Sequence, residues 1–333
     1  MTAVDAATDV DAPQVRLLSG ADVDALATVE VGLAAAEDAA RLVTGGRITT
    51  GRVQVNGPVA WMRILAGTIS DLDLLGYKEF HRVGQRVKYH VHLFQESTGN
   101  ALGIVDGRRI TSLRTSATAA AAVRHWAGSE PVRVGLIGSG EEAREGLRAI
   151  AGAVPVHEAA VFSPTPANRA SFARQMSAEL GVTVQDVPAQ ADAIAGCDVL
   201  YVATSSHHNA FLHAADVADV GLVAAIGSTQ PVHRELFGDV FSAADRVVVD
   251  TPDATHESGD CIEAVEGGWD AGSVTLLGDY LGSPAGDRSD RTVFKSIGSV
   301  EQDLVLAHHL LRAAEEQERG AVVDPVGSLR IMR

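Results

Sequence analysis

The sequence predicts an α/β protein with a doubly wound parallel sheet and a second, smaller α+β domain. Its 333 residues favour two domains, because a domain averages roughly 150 residues. From Val132 onward, short apolar runs alternate with helical stretches, which is typical of parallel strands joined by helical crossovers. Between Arg52 and Val105 the chain consists of β-type runs separated by turn residues, a pattern that predicts an antiparallel sheet.

Composition and charge exclude several classes of protein. The chain has 43 acidic side chains against 27 lysines and arginines, and its net charge of −16 argues against a nucleic-acid-binding surface. The longest run without charged side chains, Val199 to Ala215, contains three histidines, so no membrane span is predicted. The first residues are acidic, unlike a signal peptide, and the isolated Cys197 and Cys261 fit a reducing compartment. We therefore expect a cytoplasmic protein.

The first domain is predicted to combine two helices with the antiparallel sheet. One helix runs from about Ala21 to Val43, begins at Ser19 or Asp22, and ends at Gly45. The alanine-rich stretch Thr115 to Trp126 is predicted to form the other, because alanine has the highest helix propensity. The two helices flank the sheet in the sequence, which makes this part of the chain α+β.

The second domain begins with a regular alternation of strands and helices. The pattern predicts a strand at Val132–Ile137, a helix from Glu141 to Ile150, a strand at Ala159–Phe162 and a helix from Pro166 to Leu180. Three further apolar runs continue the series: Asp198–Ala203, Leu222–Ile226 and Arg246–Asp250. Runs of this kind are typical of strands that are buried on both faces of a parallel sheet.

A closing helix is predicted to return to the first domain. Its apolar face is formed by Val300, Leu304, Ala307, Leu311 and Ala314. Because this helix follows the last sheet elements, we expect the two ends of the chain to form one domain and the middle to form the other. The predicted boundaries place residues 1–126 and 300–333 in the first domain and residues 127–299 in the second.

The turn after the first strand of the second domain carries a dinucleotide fingerprint. The segment Gly138-Ser139-Gly140-Glu141-Glu142-Ala143 matches the pattern G-x-G-x-x-G/A and stands between a strand and a helix, as the fingerprint requires. The first glycine permits a tight turn, the second lets the backbone approach a pyrophosphate, and the helix N-terminus attracts the phosphates. We therefore predict a Rossmann-type domain that binds a dinucleotide through Gly138, Gly140, Glu141 and Glu142.

The end of the second strand indicates which dinucleotide is bound. An acidic residue there accepts a hydrogen bond from the ribose 2′-hydroxyl of NAD and repels the 2′-phosphate of NADP. The segment after Phe162 has no carboxylate, whereas Ser163, Thr165 and Arg169 can donate to a 2′-phosphate. The sequence therefore favours NADP(H), with NAD(H) as the alternative if Arg169 is an ordinary solvated residue. Thr204, which follows a later strand, is another predicted cofactor contact.

Two histidines raise the question of a metal site. His90 and His92 share one face of a predicted strand and would form a pair of ligands. No third ligand with a convincing spacing follows them in the sequence. The sequence therefore predicts a polar sheet face at this place and no metal site.

Five short motifs are spaced along the chain. They are Gly76-Tyr77-Lys78, Leu113-Arg114-Thr115 with the small residues that follow, the Gly-Ser-Gly-Glu-Glu-Ala turn, Pro231–Leu236, and Val293–Gly298 with Asp303 beyond it. Their order and spacing resemble the ornithine cyclodeaminase/μ-crystallin family over nearly the whole chain. The resemblance implies a Rossmann domain that faces a smaller domain, which binds the substrate and forms a homodimer by joining sheets. The run Val87–Phe94, whose edge would need covering, is consistent with that dimer.

The resemblance also assigns individual residues. Arg52, Lys78 and Arg114 match positions that bind the substrate carboxylate beside the nicotinamide, and Lys78 and Arg114 are the expected catalytic residues. An arginine holds a planar carboxylate through paired hydrogen bonds, and a lysine among cationic neighbours can transfer a proton. Arg52 taken alone also fits an ordinary surface arginine. Further residues implied at the substrate are Thr229 and Ile297, and those implied at the cofactor are Ile226, His233 and Ser296.

One segment departs from the pattern of the cyclodeaminases. They have an aspartate where Gly227-Ser228-Thr229-Gln230-Pro231 has Thr229. A threonine hydroxyl has no useful basicity near neutral pH, so it cannot replace a carboxylate that acts on the substrate amine. Because reduction of a preformed imine needs only carboxylate binding, a hydride and a proton, the sequence predicts an NAD(P)H-dependent reductase of α-imino acids or cyclic ketimine carboxylates. An ornithine or lysine cyclodeaminase and a non-catalytic, μ-crystallin-like binding protein are the alternatives left open.

Overall fold

The computed structural model describes residues 14–206, 209–285 and 288–325. Its strands, in chain order, are β1 (Val15–Leu18), β2 (Ile48–Asn56), β3 (Ala60–Ile69), β4 (Leu74–Val83), β5 (Arg86–Gln95), β6 (Ala101–Asp106), β7 (Val132–Ile137), β8 (Val156–Phe162), β9 (Thr183–Asp186), β10 (Val199–Val202), β11 (Leu222–Ala225), β12 (Arg246–Val249), β13 (Thr275–Leu276), β14 (Thr292–Lys295) and β15 (Ala321–Val323). Its α-helices are α1 (Gly20–Leu26), α2 (Val29–Gly45), α3 (Arg108–Ala127), α4 (Glu141–Ala153), α5 (Pro166–Leu180), α6 (Gln190–Ile194), α7 (Gly238–Ala243), α8 (Ala254–Glu257), α9 (Gly259–Glu266), α10 (Leu277–Gly282) and α11 (Val300–Glu316).

The described chain divides into two units. The first contains the residues up to Thr28, Gly46–Thr111 and the residues from Asp303 onward. The second contains Val29–Gly45 and Ser112–Gln302. None of the helices in the described ranges is both long enough and apolar enough to cross a lipid bilayer.

The first unit is built on a mixed sheet with the strand order β15-β1-β6-β5-β4-β3-β2. Strands β2 to β6 pair antiparallel with their neighbours in sequence, which confirms the predicted antiparallel run. Strand β1 joins β6 in parallel, and β15 joins β1 antiparallel, so segments from both ends of the chain extend the sheet.

The expected sheet edge at Val87–Phe94 is wrong. This run lies in β5, which is hydrogen-bonded to β4 on one side and to β6 on the other because the meander continues past it. The long edge strand is β2 instead. In β2 only Ile48 is half-buried, and the other residues are exposed.

The second unit contains a parallel sheet with the strand order β13-β12-β14-β11-β10-β7-β8-β9. Every pairing in it is parallel, which confirms the doubly wound sheet. Alternate residues of β10 enter two apolar clusters: Val199 and Tyr201 belong to one, and Leu200 and Val202 to the other. Both faces of this strand are therefore buried, as its continuous apolar run predicts.

The long first helix of the sequence prediction is two helices, α1 and α2. Ser19 caps α1 through a capping box with Asp22, and Gly46 follows α2 with a left-handed φ of +68°. The helix breaks at Ala27, whose ψ of 72° is not helical. The break separates two helices that pack in different units, since α1 belongs to the first unit and α2 to the second.

The units also differ from the predicted domain boundaries. Residues 29–45 and 112–126 cluster with the parallel sheet, although the sequence assigned them to the first domain. Close backbone approaches explain this: a Cβ on Gly278 would overlap the carbonyl of Ala40 in α2, and one on Gly221 would overlap the ring of Trp126 in α3. Glycines at these places let both helices pack tightly within the second unit.

Candidate active site

The fingerprint turn lies at the carboxyl end of β7. Gly138 has a φ of +117°, and a Cβ there would overlap the carbonyl oxygen of Ala203, so only glycine fits. At Gly140 a Cβ would meet no described atom within 4 Å, which leaves this backbone open to a ligand. Ala143, the third residue of α4, is fully buried in the first turn of the helix. The three positions fit a backbone that receives a dinucleotide pyrophosphate.

Glu141 and Glu142 form the first turn of α4. In any α-helix, the backbone N–H groups of the first turn have no acceptor within the helix itself. The side chain of Glu141 is exposed and that of Glu142 is half-buried. Because carboxylates repel phosphates, their predicted contact with a cofactor would use the backbone N–H groups rather than the side chains.

A polar cluster follows β8. Ser163 is buried, and its hydroxyl accepts a hydrogen bond from the Ser139 hydroxyl at 2.9 Å. Arg169 donates through Nη1 to the Ser163 carbonyl at 3.1 Å, while its buried Nε has no acceptor among the described residues. Arg144 donates to the Ser139 carbonyl at 2.9 Å. Two guanidinium groups therefore lie at the end of β8, where the sequence predicts that the cofactor is selected. Thr165, the N-cap residue of α5, is exposed.

The loops after β10 and β11 are held by one buried carboxylate. Glu235 Oε1 accepts from the backbone N–H and hydroxyl of Thr204 at 2.8 and 2.7 Å. Its Oε2 accepts from the N–H groups of Gly227 and Ser228 at 2.9 and 3.1 Å. Burial raises the pKa of Glu235, although Lys295 and the Thr204 hydrogen bonds oppose the rise. The Thr204 hydroxyl, predicted to contact cofactor, is thus engaged with Glu235.

A buried ion pair between Lys295 and Asp260 stabilises the same loops. Lys295 Nζ lies 3.2 Å from Asp260 Oδ2, and both side chains are completely buried. Asp260 Oδ1 also accepts from the N–H groups of Glu235 and Leu236 at 2.7 and 3.2 Å. The pair therefore fixes the backbone from which the Glu235 side chain extends.

The loop after β14 is organised by Asp250. This carboxylate accepts from the Ser296 hydroxyl at 2.7 Å and from the N–H groups of Ile297 and Gly298 at 3.2 and 2.8 Å. It also accepts from the side-chain amide of Gln302 at 3.0 Å. Ser296 is buried and Ile297 half-buried, so the predicted cofactor and substrate contacts at this loop are held by one side chain.

Arg114 in α3 is positioned by the same network. Its Nη1 donates to Gln302 Oε1 at 3.4 Å, and Gln302 is itself bound to Asp250. A Cβ on Gly298 would overlap the Arg114 guanidinium, so glycine makes room for it. The predicted carboxylate-binding arginine therefore lies against the loop that carries Ser296 and Ile297.

The remaining predicted residues of the second unit lie after β11. Ile226 is buried, and its N–H donates to the Val202 carbonyl of β10 at 3.0 Å. Thr229 is half-buried in the following loop, where its N–H donates to the Gly227 carbonyl at 3.1 Å. His233 is half-buried, and its carbonyl accepts from the Ser228 hydroxyl at 2.8 Å. Because all strands of the sheet are parallel, these residues share its carboxyl edge with the fingerprint turn.

In the first unit, Lys78 is a buried cation on β4. Its side chain is 4% exposed, and Nζ lies 3.0 Å from Asp303 Oδ1 and 2.8 Å from the Thr111 hydroxyl. The rings of Phe80 and Tyr89 lie 5.9 and 5.7 Å from Nζ. The carboxylate, the hydroxyl and the aromatic faces all stabilise an ammonium ion at this place.

Arg52 shares a sheet face with Lys78. The register pairs Arg52 with Leu65 and Leu65 with Lys78, so the two cations lie in one cross-strand row. Two strand spacings separate them by about 10 Å at the backbone. Arg52 is exposed on the edge strand β2, whereas Lys78 is buried.

Comparison with known proteins identifies the family. The family model described as the ornithine cyclodeaminase/mu-crystallin family matches residues 76–318. The chain belongs to this family. The chain is similar to two curated reductases of this family. A Delta(1)-pyrroline-2-carboxylate reductase of Bacillus cereus (strain ZK / E33L) is 26% identical over 275 residues, which cover 78% of this chain and 84% of the relative. A Delta(1)-pyrroline-2-carboxylate/Delta(1)-piperideine-2-carboxylate reductase of Azospirillum brasilense is 31% identical over 215 residues, 64% of this chain and 66% of the relative.

The fold of the family is also found in a solved structure. Thermococcus litoralis Delta(1)-pyrroline-2-carboxylate reductase, in complex with NADH and L-proline, has a TM-score of 0.83 and 24% identity. The match covers 92% of this chain and 99% of that one. The predicted family and fold class, a Rossmann-type domain with a smaller α+β domain, are thus confirmed.

Several residues that shape the site were not predicted from the sequence. They are Arg144, Glu235, Asp250, Asp260 and Asp303. Glu235 and Asp303 stand within or just after the family motifs, and Asp250 ends a predicted strand, which is where polar site residues collect. The spacing of Arg144 and Asp260 in the sequence does not indicate a role at the site. Arg144 binds a backbone carbonyl, which leaves no sequence pattern, and Asp260 pairs with Lys295, which is 35 residues away.

Proposed function

We propose that the chain is an NAD(P)H-dependent reductase acting on the C=N bond of α-imino acids or cyclic ketimine carboxylates. The observation that carries this proposal is the loop after β11, where Thr229 stands in place of the cyclodeaminase aspartate. A threonine hydroxyl at this position cannot act as the base that the amine chemistry of a cyclodeaminase requires. The names of the Bacillus and Azospirillum relatives, both pyrroline-2-carboxylate reductases, support the same class of reaction.

The proposed chemistry needs little from the protein beyond binding and a proton. Reduction of an imine adds a hydride to carbon and a proton to nitrogen, and a nicotinamide supplies the hydride when bound. We assign the substrate carboxylate to Arg114, which Gln302 and Gly298 position, with Arg52 as a second cation. Lys78 Nζ holds the proton for the imine nitrogen, and Asp303 orients that ammonium group through their ion pair.

A turnover assay tests this function. NADPH oxidation in the presence of 1-pyrroline-2-carboxylate should continue for many turnovers and yield one cyclic amino acid for each NADPH consumed. The panel should also include 1-piperideine-2-carboxylate, iminosuccinate, and 2-oxo acids mixed with amines. Protein that binds NADPH yet turns over none of these substrates would contradict the proposal and favour a non-catalytic binding protein.

Arg114→Ala should raise KM for the imino acid about 10- to 150-fold, because the carboxylate loses a charge-assisted pair worth about 1.5–3 kcal/mol. Steady-state kinetics at saturating cofactor measures this. Arg124→Ala is the matched control, since Arg124 lies on the same helix and pairs with Glu37 instead. An unchanged KM in Arg114→Ala, or an equal rise in the control, contradicts the assignment.

We propose that NADP(H) is preferred over NAD(H). Arg169, Arg144 and the Ser163 hydroxyl collect at the end of β8, where no carboxylate follows the strand. The Arg169 Nε, buried and without an acceptor among the described residues, is a ready donor for a 2′-phosphate.

Ser163→Asp should therefore shift the preference toward NADH, because the new carboxylate accepts from a ribose hydroxyl and repels a 2′-phosphate. The ratio of kcat/KM for NADPH and NADH measures the shift. Thr183→Asp is the control, because Thr183 is exposed at the opposite, amino end of β9. A native protein that already prefers NADH overturns the proposal.

We propose a homodimer in which the first units of two copies join. The exposed edge strand β2 supports this, since an unprotected edge of this length readily pairs with another strand. Val53 and Val55 on β2 are 53% and 63% exposed, although both are apolar.

Light scattering at micromolar concentration should give twice the chain mass of 34.7 kDa. The double variant Val53→Lys with Val55→Lys should shift the protein toward monomer, because lysines on an edge strand oppose pairing. A monomeric native protein rejects the dimer, and a dimer that the lysines leave intact rejects β2 as its edge.

A further inference from the structure

Three potential metal ligands meet on one face of the β4–β5 hairpin in the first unit. Glu79 on β4 pairs in register with His90 on β5, and His81 follows Glu79 on the same face. His81 Nδ1 lies 3.1 Å from Glu79 Oε2, and His90 Nδ1 contacts Glu79 Oε1. One ligand atom from each of the three residues lies within 4.8 Å of the others.

The cluster is distinct from the proposed reductase chemistry. Neighbouring residues of a strand point to opposite faces, so Glu79 and the catalytic Lys78 are on different sides of the sheet. Val53 and Ile64 stand in the same cross-strand row as Glu79 and give the carboxylate an apolar flank. The side chains are partly sheltered, with exposures of 13% for Glu79, 31% for His81 and 35% for His90.

The three side chains supply one carboxylate and two imidazole groups. This is the donor set of many zinc sites, whereas Mg²⁺ and Ca²⁺ prefer oxygen ligands alone.

The geometry points to a site for one Zn²⁺-class divalent ion held by Glu79 Oε1 or Oε2, His81 Nδ1 and His90 Nδ1. Metal–ligand bonds of about 2.0–2.2 Å place tetrahedral ligand atoms roughly 3.4 Å apart. The three ligand atoms here all lie within 4.8 Å of one another, so small side-chain shifts would bring them to that geometry. The fourth position is left to water. His92 stays outside this set, because its ring stacks on Tyr77 with centroids 4.6 Å apart.

The ion would cross-link the two strands β4 and β5. Two of its ligands come from β4 and one from β5, so binding ties together the hairpin whose other face carries Lys78. An ion that binds the folded chain and not the unfolded one stabilises the fold in proportion to its affinity. We therefore expect added Zn²⁺ to raise the thermal midpoint of the native protein.

Titration calorimetry with Zn²⁺ on tag-free protein tests the proposal. We expect one ion per chain, and Co²⁺ in its place should give the visible absorption of a tetrahedral site. Glu79→Gln and His90→Ala should each weaken binding at least about 100-fold, since loss of an outer partner alone costs 10- to 100-fold. His157→Ala, which removes an exposed histidine of β8, should leave the affinity unchanged.

Circular dichroism checks that each variant is folded. If His90→Ala does not fold, Glu79→Gln still tests the site, because glutamine has nearly the same shape as glutamate. Absence of stoichiometric binding, or binding that neither variant weakens, overturns the proposal. The reductase assay distinguishes this result from a failure of the proposed function, because neither Glu79 nor His90 is part of that machinery.

Discussion

Lys78→Ala is expected to lower kcat for imine reduction about 100- to 10,000-fold, the usual contribution of a positioned proton donor. Lys78 Nζ lies 3.0 Å from Asp303, and its side chain is almost completely buried. Among the described cations of the first unit, no other forms an ion pair that is buried to this extent. In the proposed mechanism, replacing Lys78 removes the group that donates a proton to the imine nitrogen. The variant's kcat at saturating imino acid and cofactor measures the effect.

The control for this variant must separate chemistry from folding. Lys78→Ala leaves Asp303 buried without its ion pair, which destabilises a protein, so a denaturation curve accompanies the kinetics. Lys88→Ala removes an exposed lysine from the neighbouring strand β5 and should leave kcat unchanged. A folded Lys78→Ala protein with near-native kcat would show that another group supplies the proton.

Lys295→Met should destabilise the protein by about 3–5 kcal/mol, because it leaves a buried carboxylate without its partner. Both Lys295 and Asp260 are 0% exposed, and Asp260 also holds the backbone of Glu235 and Leu236. Methionine keeps most of the volume, so the cost reports the lost charge rather than a cavity. The free energy of unfolding in urea measures it.

A second variant isolates the pair. Asp260→Asn combined with Lys295→Met should recover part of the loss, because the uncompensated charge is gone while an amide oxygen can still accept from the backbone. Arg246→Met is the matched control, since Arg246 forms a partly exposed pair with Asp290 at 3.7 Å. An equal loss of stability in this control would contradict a special role for the buried pair.

The sequence predicts the parallel sheet because its signal is local. The continuous apolar run at Val199–Val202 and the glycine turn at Gly138 are each short patterns with one physical explanation, burial on two faces and a left-handed turn. The order of the strands is a long-range property. Nothing in the sequence pattern places β14 between β11 and β12, where the structure has it.

The candidate site shows the same division. Lys78, Arg114 and the fingerprint glycines are predicted from motifs, but the groups that hold them come from distant parts of the chain. Asp303 lies 225 residues from Lys78, and Gln302 lies 188 residues from Arg114. The partners of His90 were missed for a related reason, because Glu79 belongs to the neighbouring strand and spacing within β5 cannot reveal it.

The measurement that tests the central claim most directly compares two reactions of the unmodified protein. One is NADPH-dependent reduction of 1-pyrroline-2-carboxylate, and the other is conversion of ornithine to proline with catalytic nucleotide. We predict steady imine reduction and no proline from ornithine above background, because Thr229 cannot replace the cyclodeaminase aspartate. Proline formation from ornithine at a rate matching the best imine reduction would contradict the account, since that aspartate would then be dispensable.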